Sequence, residues 1–300
     1  MPREDTENRM DFLSNLISGL SLGSIYALIA LGYTMVYGIA KMLNFAHGDI
    51  IMVGAFTVIV CVNMCGLPTW VGAILSVLVC VLLGVVIERV AYKPLRKSPP
   101  LTVLITAIGV SYLLQSLAQL VFGSGLHSFP KVVSIPPVQL GELTIKGDAL
   151  ATLAVSALIM VALTLFIGKT RMGKAMRAVS EDKDAAELMG ISVNKTISVT
   201  FAIGSALAAV AGIFYGSTYG FIGPYTGSMP GIKAFVAAVF GGIGSIPGAM
   251  IGGLALGIIE NLSKAYISTE LSDAIVFGVL IVVLLLKPTG LLGKKIKEKV

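Results

Sequence analysis

Long, continuous apolar runs separated by short charged clusters constrain this chain more than any single motif does. The runs fall at about 12 to 40, 50 to 65, 68 to 88, 101 to 122, 150 to 168, 196 to 219, 232 to 246, 248 to 267 and 274 to 286. A helix rises about 1.5 Å per residue, so a hydrocarbon core of about 30 Å takes roughly 20 apolar residues per crossing. Outer-membrane barrels carry alternating segments of about ten residues, which these runs are not. The pattern predicts an all-α, polytopic membrane protein with eight or nine transmembrane or re-entrant helices. A mean hydropathy of +0.91 agrees with that reading.

The net charge of +6 does not point to nucleic acid, because 14 of the 22 Lys and Arg residues sit in three juxtamembrane clusters: Arg89 to Lys97, Lys169 to Lys183, and Lys287 to Lys299. Positive loops stay on the cytoplasmic side, so the three clusters should share one face, with an even number of crossings between them. The run at 232 to 246 is short; it and the next run form either two spans or a re-entrant hairpin, and parity holds in both cases. Three runs precede the first cluster, which places the N-terminus outside. The N-terminus lacks a basic n-region, so the first span should be retained. The expected organisation is a short polar N-terminus at 1–11, one transmembrane domain at 12–287 with a charged inner loop at 169–191, and a basic cytoplasmic tail at 288–300. Cys61, Cys65 and Cys80 lie in apolar runs without metal-ligand spacing and read as small hydrophobes.

Small residues recur every fourth position through Gly204, Ala208, Gly212, Gly216 and Gly220, giving one helix face where another backbone can approach. Gly19, Gly23 and Ala27 repeat the device, as do Ala249, Gly253 and Gly257. Such faces serve packing within the subunit or a seam between subunits. The glycines and proline of Gly241 to Gly248 cannot stay in one helix, so Gly242 and Gly244 mark a pathway wall or an interfacial turn. Tyr26, Tyr33 and Tyr37 share a face of the first helix; each ring with its hydroxyl suits an amphiphilic solute or interhelical packing. Asn44 and His47 sit where the first run breaks, as a polar helix end at a pathway mouth or as a capped turn. Glu260 with Asn261 lies well inside an apolar run, where Lys264 one turn later can neutralise the acid.

Within the inner loop, nine of the 23 residues from Lys169 to Ile191 are charged. Ser180 reads as an N-cap, Glu181 and Asp182 as first-turn acids, and Gly190 as a C-cap, predicting a helix of about nine residues. Ala185, Leu188 and Met189 would share one face, while Asp184 and Glu187 point elsewhere. That suits a membrane surface, a partner's groove or a solvated loop.

Asp184-Ala185-Ala186 followed by Gly190 resembles the Glu-Ala-Ala-x-x-x-Gly loop by which permease subunits of ABC importers dock onto their ATPases, with Asp in place of Glu. Leu22-Gly23-Ser24-Ile25-Tyr26-Ala27-Leu28, Gly32-Tyr33-Thr34-Met35-Val36-Tyr37-Gly38 and Asn44-Phe45-Ala46-His47-Gly48-Asp49 resemble the N-terminal signature of branched-chain amino acid importer permeases of the LivH type. Met172 to Ala178, Glu181 to Ile191 and Gly241 to Ala249 resemble further stretches of that family, and the likeness runs from about Asp11 to Gly293. The resemblance implies a subunit of the bacterial or archaeal cytoplasmic membrane that imports leucine, isoleucine and valine. Its implied partners are a second homologous permease, two ATPase subunits holding ATP and Mg, an external binding protein and membrane lipid. Arg177, Glu181, Asp182, Asp184, Ala185, Ala186, Leu188, Met189 and Gly190 would then form the coupling surface. Relatives carry other amino acids, amides or urea.

Enzyme signals are missing. Gly168-Lys169-Thr170 lacks the first glycine of a phosphate-binding loop, since Leu163 stands there. With two His and no Gly-x-Ser-x-Gly or His-Glu-x-x-His, no catalytic, cofactor-binding or metal residues are expected in this chain. The other class that fits is an ion-driven secondary amino-acid carrier; a membrane-embedded transferase fits less well.

Overall fold

A computed structural model describes residues 2–132, 135–140 and 143–293. Met1 and, from 294 onward, the expected tail lie outside the described residues. Each apolar run is a helix. α1 (Pro2–Ala40) continues back through the polar residues set apart in the sequence, and ends where Lys41 takes a left-handed φ of 58°. α2 (His47–Ile59) and α3 (Thr69–Ile87) are each prolonged by a π-helical turn, Val60–Met64 and Glu88–Tyr92. α4 (Pro100–Phe122) and α5 (Gly147–Lys169) follow, then two short surface helices, α6 (Arg171–Glu181) and α7 (Lys183–Leu188). α8 (Val193–Tyr219), α9 (Ser228–Gly241), α10 (Ile246–Tyr266) and α11 (Ser272–Leu286) complete the chain. Seven helices are long and apolar enough to cross a membrane; α9 and α11 are shorter.

Contacts at the helix ends fix the topology. Lys183 Nζ donates to the Ala40 carbonyl at 2.8 Å, and Arg96 donates to Asn194 at the start of α8. The ends of α1 and α3 therefore share a face with the charged loop, the inner face, which the positive-inside rule expects to be cytoplasmic. α1 starts on the outer face, where the Phe12 and Tyr266 rings lie 6.3 Å apart. On the same side a two-residue strand, β1 (His127–Ser128), pairs antiparallel with β4 (Phe221–Ile222), and β2 (Val138–Leu140) pairs with β3 (Leu143–Ile145).

From β4 the chain turns inward through a non-helical stretch and then α9, whose end at Gly241 faces Gly248; the turn that follows lies against Gly38 near the inner end of α1. α9 with its lead-in therefore crosses between the faces, as does α10. Of the two readings of 232 to 267, the structure gives two passes, and the described residues make nine.

The small-residue stripes on α1 and α10 are halves of one contact. A Cβ on Gly253 would sit 2.4 Å from Ala27 Cα, and one on Gly257 would sit 2.1 Å from Gly23 N. Only glycine permits that approach, the device by which helices associate where no hydrophobic force separates lipid from side chain. The α8 stripe also packs within the chain: Gly204 faces Gly32, Gly212 faces the Ile51 carbonyl, and Gly216 faces the Phe129 ring. Ala208 is fully buried. Gly220 is an exception to the expected stripe. Its φ of +77° ends α8, and a side chain there would meet nothing; the four-residue period places it on the face, but the helix has stopped. Buried residues concentrate on α1, α2, α8, α9 and α10, whereas Leu82, Leu120, Leu158 and Leu285 of the outer helices are exposed, as a lipid-facing flank should be.

Candidate functional site

The inner surface is built by caps. Thr170 Oγ1 accepts from the Gly173 amide at 3.0 Å and starts α6. α6 runs through Ser180, whose hydroxyl donates to the Arg177 carbonyl at 2.7 Å rather than capping a new helix. The break comes at Asp182, in extended backbone (φ −154°), where the carboxylate accepts from the Asp184 and Ala185 amides, both at 3.0 Å. The N-cap is thus Asp182, not Ser180; Glu181 closes α6, and α7 has six residues rather than about nine. An ionised acceptor shared by two amides makes a stronger cap than a hydroxyl, which finds a carbonyl within its own helix. At the far end Gly190, at φ +79°, closes a Schellman turn: its amide donates to the Glu187 carbonyl at 2.9 Å and that of Ile191 to the Ala186 carbonyl at 3.0 Å.

These turns divide the expected coupling residues. Ala186 faces the rest of the chain, while Asp184, Ala185 and Glu187 are exposed. Leu188 and Met189 stand out, at 89% and 82% exposure, on an otherwise polar surface. Arg177 donates to the Gly168 carbonyl at 3.1 Å and holds α6 against the end of α5. Lys183 ties α7 to the last carbonyls of α1, a position where a cation complements the helix dipole. Burial, followed by the positive charges of Arg96 and Lys41, lowers its pKa from the usual 10.5.

Inside the membrane the polar residues are joined across helices. Glu260 accepts from Tyr26 at 2.8 Å, from Lys233 at 2.8 Å and from Lys264 at 2.6 Å, and Lys233 also meets Asp273 at 2.6 Å. The network links α1, α9, α10 and α11. Tyr33 is enclosed by His47 and Phe235, with ring centroids 4.7 and 5.7 Å away, while Tyr37 is half-buried. Asn44 and His47 do not make a capped turn: the α2 N-cap is Ala46 without a side-chain bond, and Asn44 accepts from Tyr92 at 2.9 Å. Gly242 and Gly244, at φ 105° and 92°, form the α9–α10 turn at the inner face, against Gly293 and Gly38.

Sequence reading missed Lys233, since a lone Lys in a short apolar run gives no sign of partners 27 and 40 positions away. It also passed over Asp49 as a site: the carboxylate is buried and accepts from Gln115 at 2.8 Å, with Ser111 and Ser228 each 3.2 Å from that amide. The signal was available, because an acid within an apolar segment is costly unless satisfied.

Four similarities to known proteins bear on this chain. A family model described as the permease component of a branched-chain amino acid transport system matches residues 15–284. The high-affinity branched-chain amino acid transport system permease protein LivH of Salmonella typhimurium is 47% identical, over 98% of this chain and 100% of that protein. BraD of Pseudomonas aeruginosa, a permease protein with the same description, is 46% identical over 96% and 98%. The LivM permease protein of the same Salmonella transport system is 25% identical over 89% of this chain and 68% of its own length.

Proposed function

This chain belongs to the family of branched-chain amino acid transport permeases, and from that premise we propose that it passes leucine, isoleucine and valine across the bacterial inner membrane in an ATP-driven importer. It is a multi-pass permease subunit, with nine passes among its described residues. ATP is bound and hydrolysed on two separate ATPase subunits, an external binding protein delivers the solute, and a second, homologous permease completes the pathway. Support for that pairing comes from LivH and LivM, two permease proteins of one Salmonella system that both resemble this chain.

The observation that carries the coupling is the apolar pair Leu188–Met189, held out by a capped six-residue helix and left exposed by the described residues. α7 seats in a groove on an ATPase subunit. Closure of the ATPases moves it as a rigid body, and Lys183 passes that movement to the end of α1, which is packed along its length on α10. Solute then meets alternately outward-open and inward-open arrangements.

Buried Asp49, which makes no ion pair among the described residues, favours a second reading, an ion-driven carrier. Proteoliposomes separate the two. Labelled leucine should accumulate only when ATPases, second permease and binding protein are present with ATP at the inner face. Accumulation by this chain alone under a sodium or proton gradient would establish the carrier and remove the importer.

A further inference from the structure

A cavity of about 590 Å3 opens between the inner ends of α3 and α8, within the size range of small-molecule sites. Its rim carries three cations, Arg89, Lys93 and Lys195, and none of them is ion-paired among the described residues. The adjacent acid, Glu88, is fully buried and already held by Arg96 and by the Ser198 hydroxyl at 2.7 Å. The rim is therefore strongly positive.

Its walls are preformed. Arg96 spans from Glu88 on the π-helical turn to Asn194 in the first turn of α8, so one guanidinium joins both sides of the opening. Depth then changes the chemistry. Val85 lies one helical turn deeper than Arg89, Val199 one turn deeper than Lys195, and Ala202 nearly a turn deeper again; Ser198 at that depth spends its hydroxyl on Glu88, so the cavity is cationic at the membrane surface and mainly apolar at hydrocarbon depth. A free anion would leave the apolar wall empty, and an acidic protein segment would be drawn into hydrocarbon to fill it. An amphiphile with a phosphate head satisfies both parts.

We propose that this cavity binds an anionic phospholipid of the inner leaflet, its phosphate among Arg89, Lys93 and Lys195 and its first acyl carbons along Val85, Val199 and Ala202. Basic pockets between spans on the cytoplasmic side suit such headgroups. Occupancy braces α3 against α8, the helix that follows the coupling turn at Gly190.

Labelled phosphatidylglycerol binding to the full-length chain, purified in mild detergent, tests this. Each surface Lys or Arg strengthens binding to anionic lipid about fivefold, so the triple change Arg89→Gln, Lys93→Gln, Lys195→Gln should weaken it roughly a hundredfold. The charge-keeping triple Arg89→Lys, Lys93→Arg, Lys195→Arg should bind close to wild type. Phosphatidylcholine and inorganic phosphate should not compete. Unchanged affinity in the glutamine triple would overturn the proposal, and so would full competition by inorganic phosphate, which would identify a free-anion site. If the triple does not purify, single glutamine changes decide in the same way, each expected to weaken binding about fivefold.

Discussion

The α1–α10 seam and the α6–α7 surface use glycine and apolar residues in opposite ways. In the seam, glycine removes a side chain so that two backbones meet; a Cβ on Gly257 would stand 2.1 Å from Gly23 N. At Gly190 a Cβ would meet nothing within 4 Å, and glycine is there for its φ of +79°. The polar groups differ likewise. Tyr26, Lys233 and Lys264 all donate to the Glu260 carboxylate and are buried or half-buried, whereas α7 and its cap turn Leu188 and Met189 to solvent. A four-residue period in sequence identifies a face; only what lies opposite tells whether its partner is in the same chain. The seam is a finished contact, and the inner surface is, on the proposed function, one that another protein completes.

The largest expected effect tests the finished contact. Glu260→Gln leaves Lys233 with Asp273 as its remaining acid and takes from Lys264 its one ion-pair partner among the described residues, and breaking a buried ion pair by removing one partner costs about 3 to 5 kcal/mol. Thermal unfolding of the purified chain should show a large drop in midpoint. An unchanged midpoint would mean that the charges are solvated and that the two regions differ less than their geometry implies.

A smaller effect on stability, with a larger one on transport, is expected at the unfinished contact. Gly190→Val forces a β-branched residue into the left-handed region, costing about 1 to 2 kcal/mol and confined to the Schellman turn. The chain should still insert and unfold almost as wild type does, while ATPase copurification and ATP-driven leucine uptake fall together. Wild-type uptake in this variant would show that α7 is not where the ATPase acts.

How much of this was legible in sequence follows from the range of the forces. Apolar length fixes each span locally, so eight or nine membrane helices could be read, as could the glycine faces apart from Gly220. The Lys233 network could not, because its members come from four helices and period gives no cross-helix register. At α7, two cap-competent residues stood two apart; the choice of Asp182 over Ser180 depended on how far α6 continues. The reading of 232 to 267 stayed open because α9 alone is too short to span, and the non-helical stretch after β4 that completes the crossing has no apolar signature.

Lys183 joins the two regions, and its titration should give the smallest effect. The fold lowers its pKa below 10.5, so between the lowered value and 10.5 the unfolded chain binds more protons and stability rises with pH. Other lysines and tyrosines titrate there too, so the informative quantity is the difference in unfolding free energy between wild type and Lys183→Met at each pH. That difference should grow in favour of wild type as pH rises through the window, since deprotonation removes the cost of burying the ammonium beside Arg96 and Lys41 while the amine still donates to Ala40. A difference that stays flat would place the ammonium in solvent. α7 would then be held to the chain by its backbone and the packing of Ala186, and the proposed movement of an ATPase would have no polar side-chain route into α1.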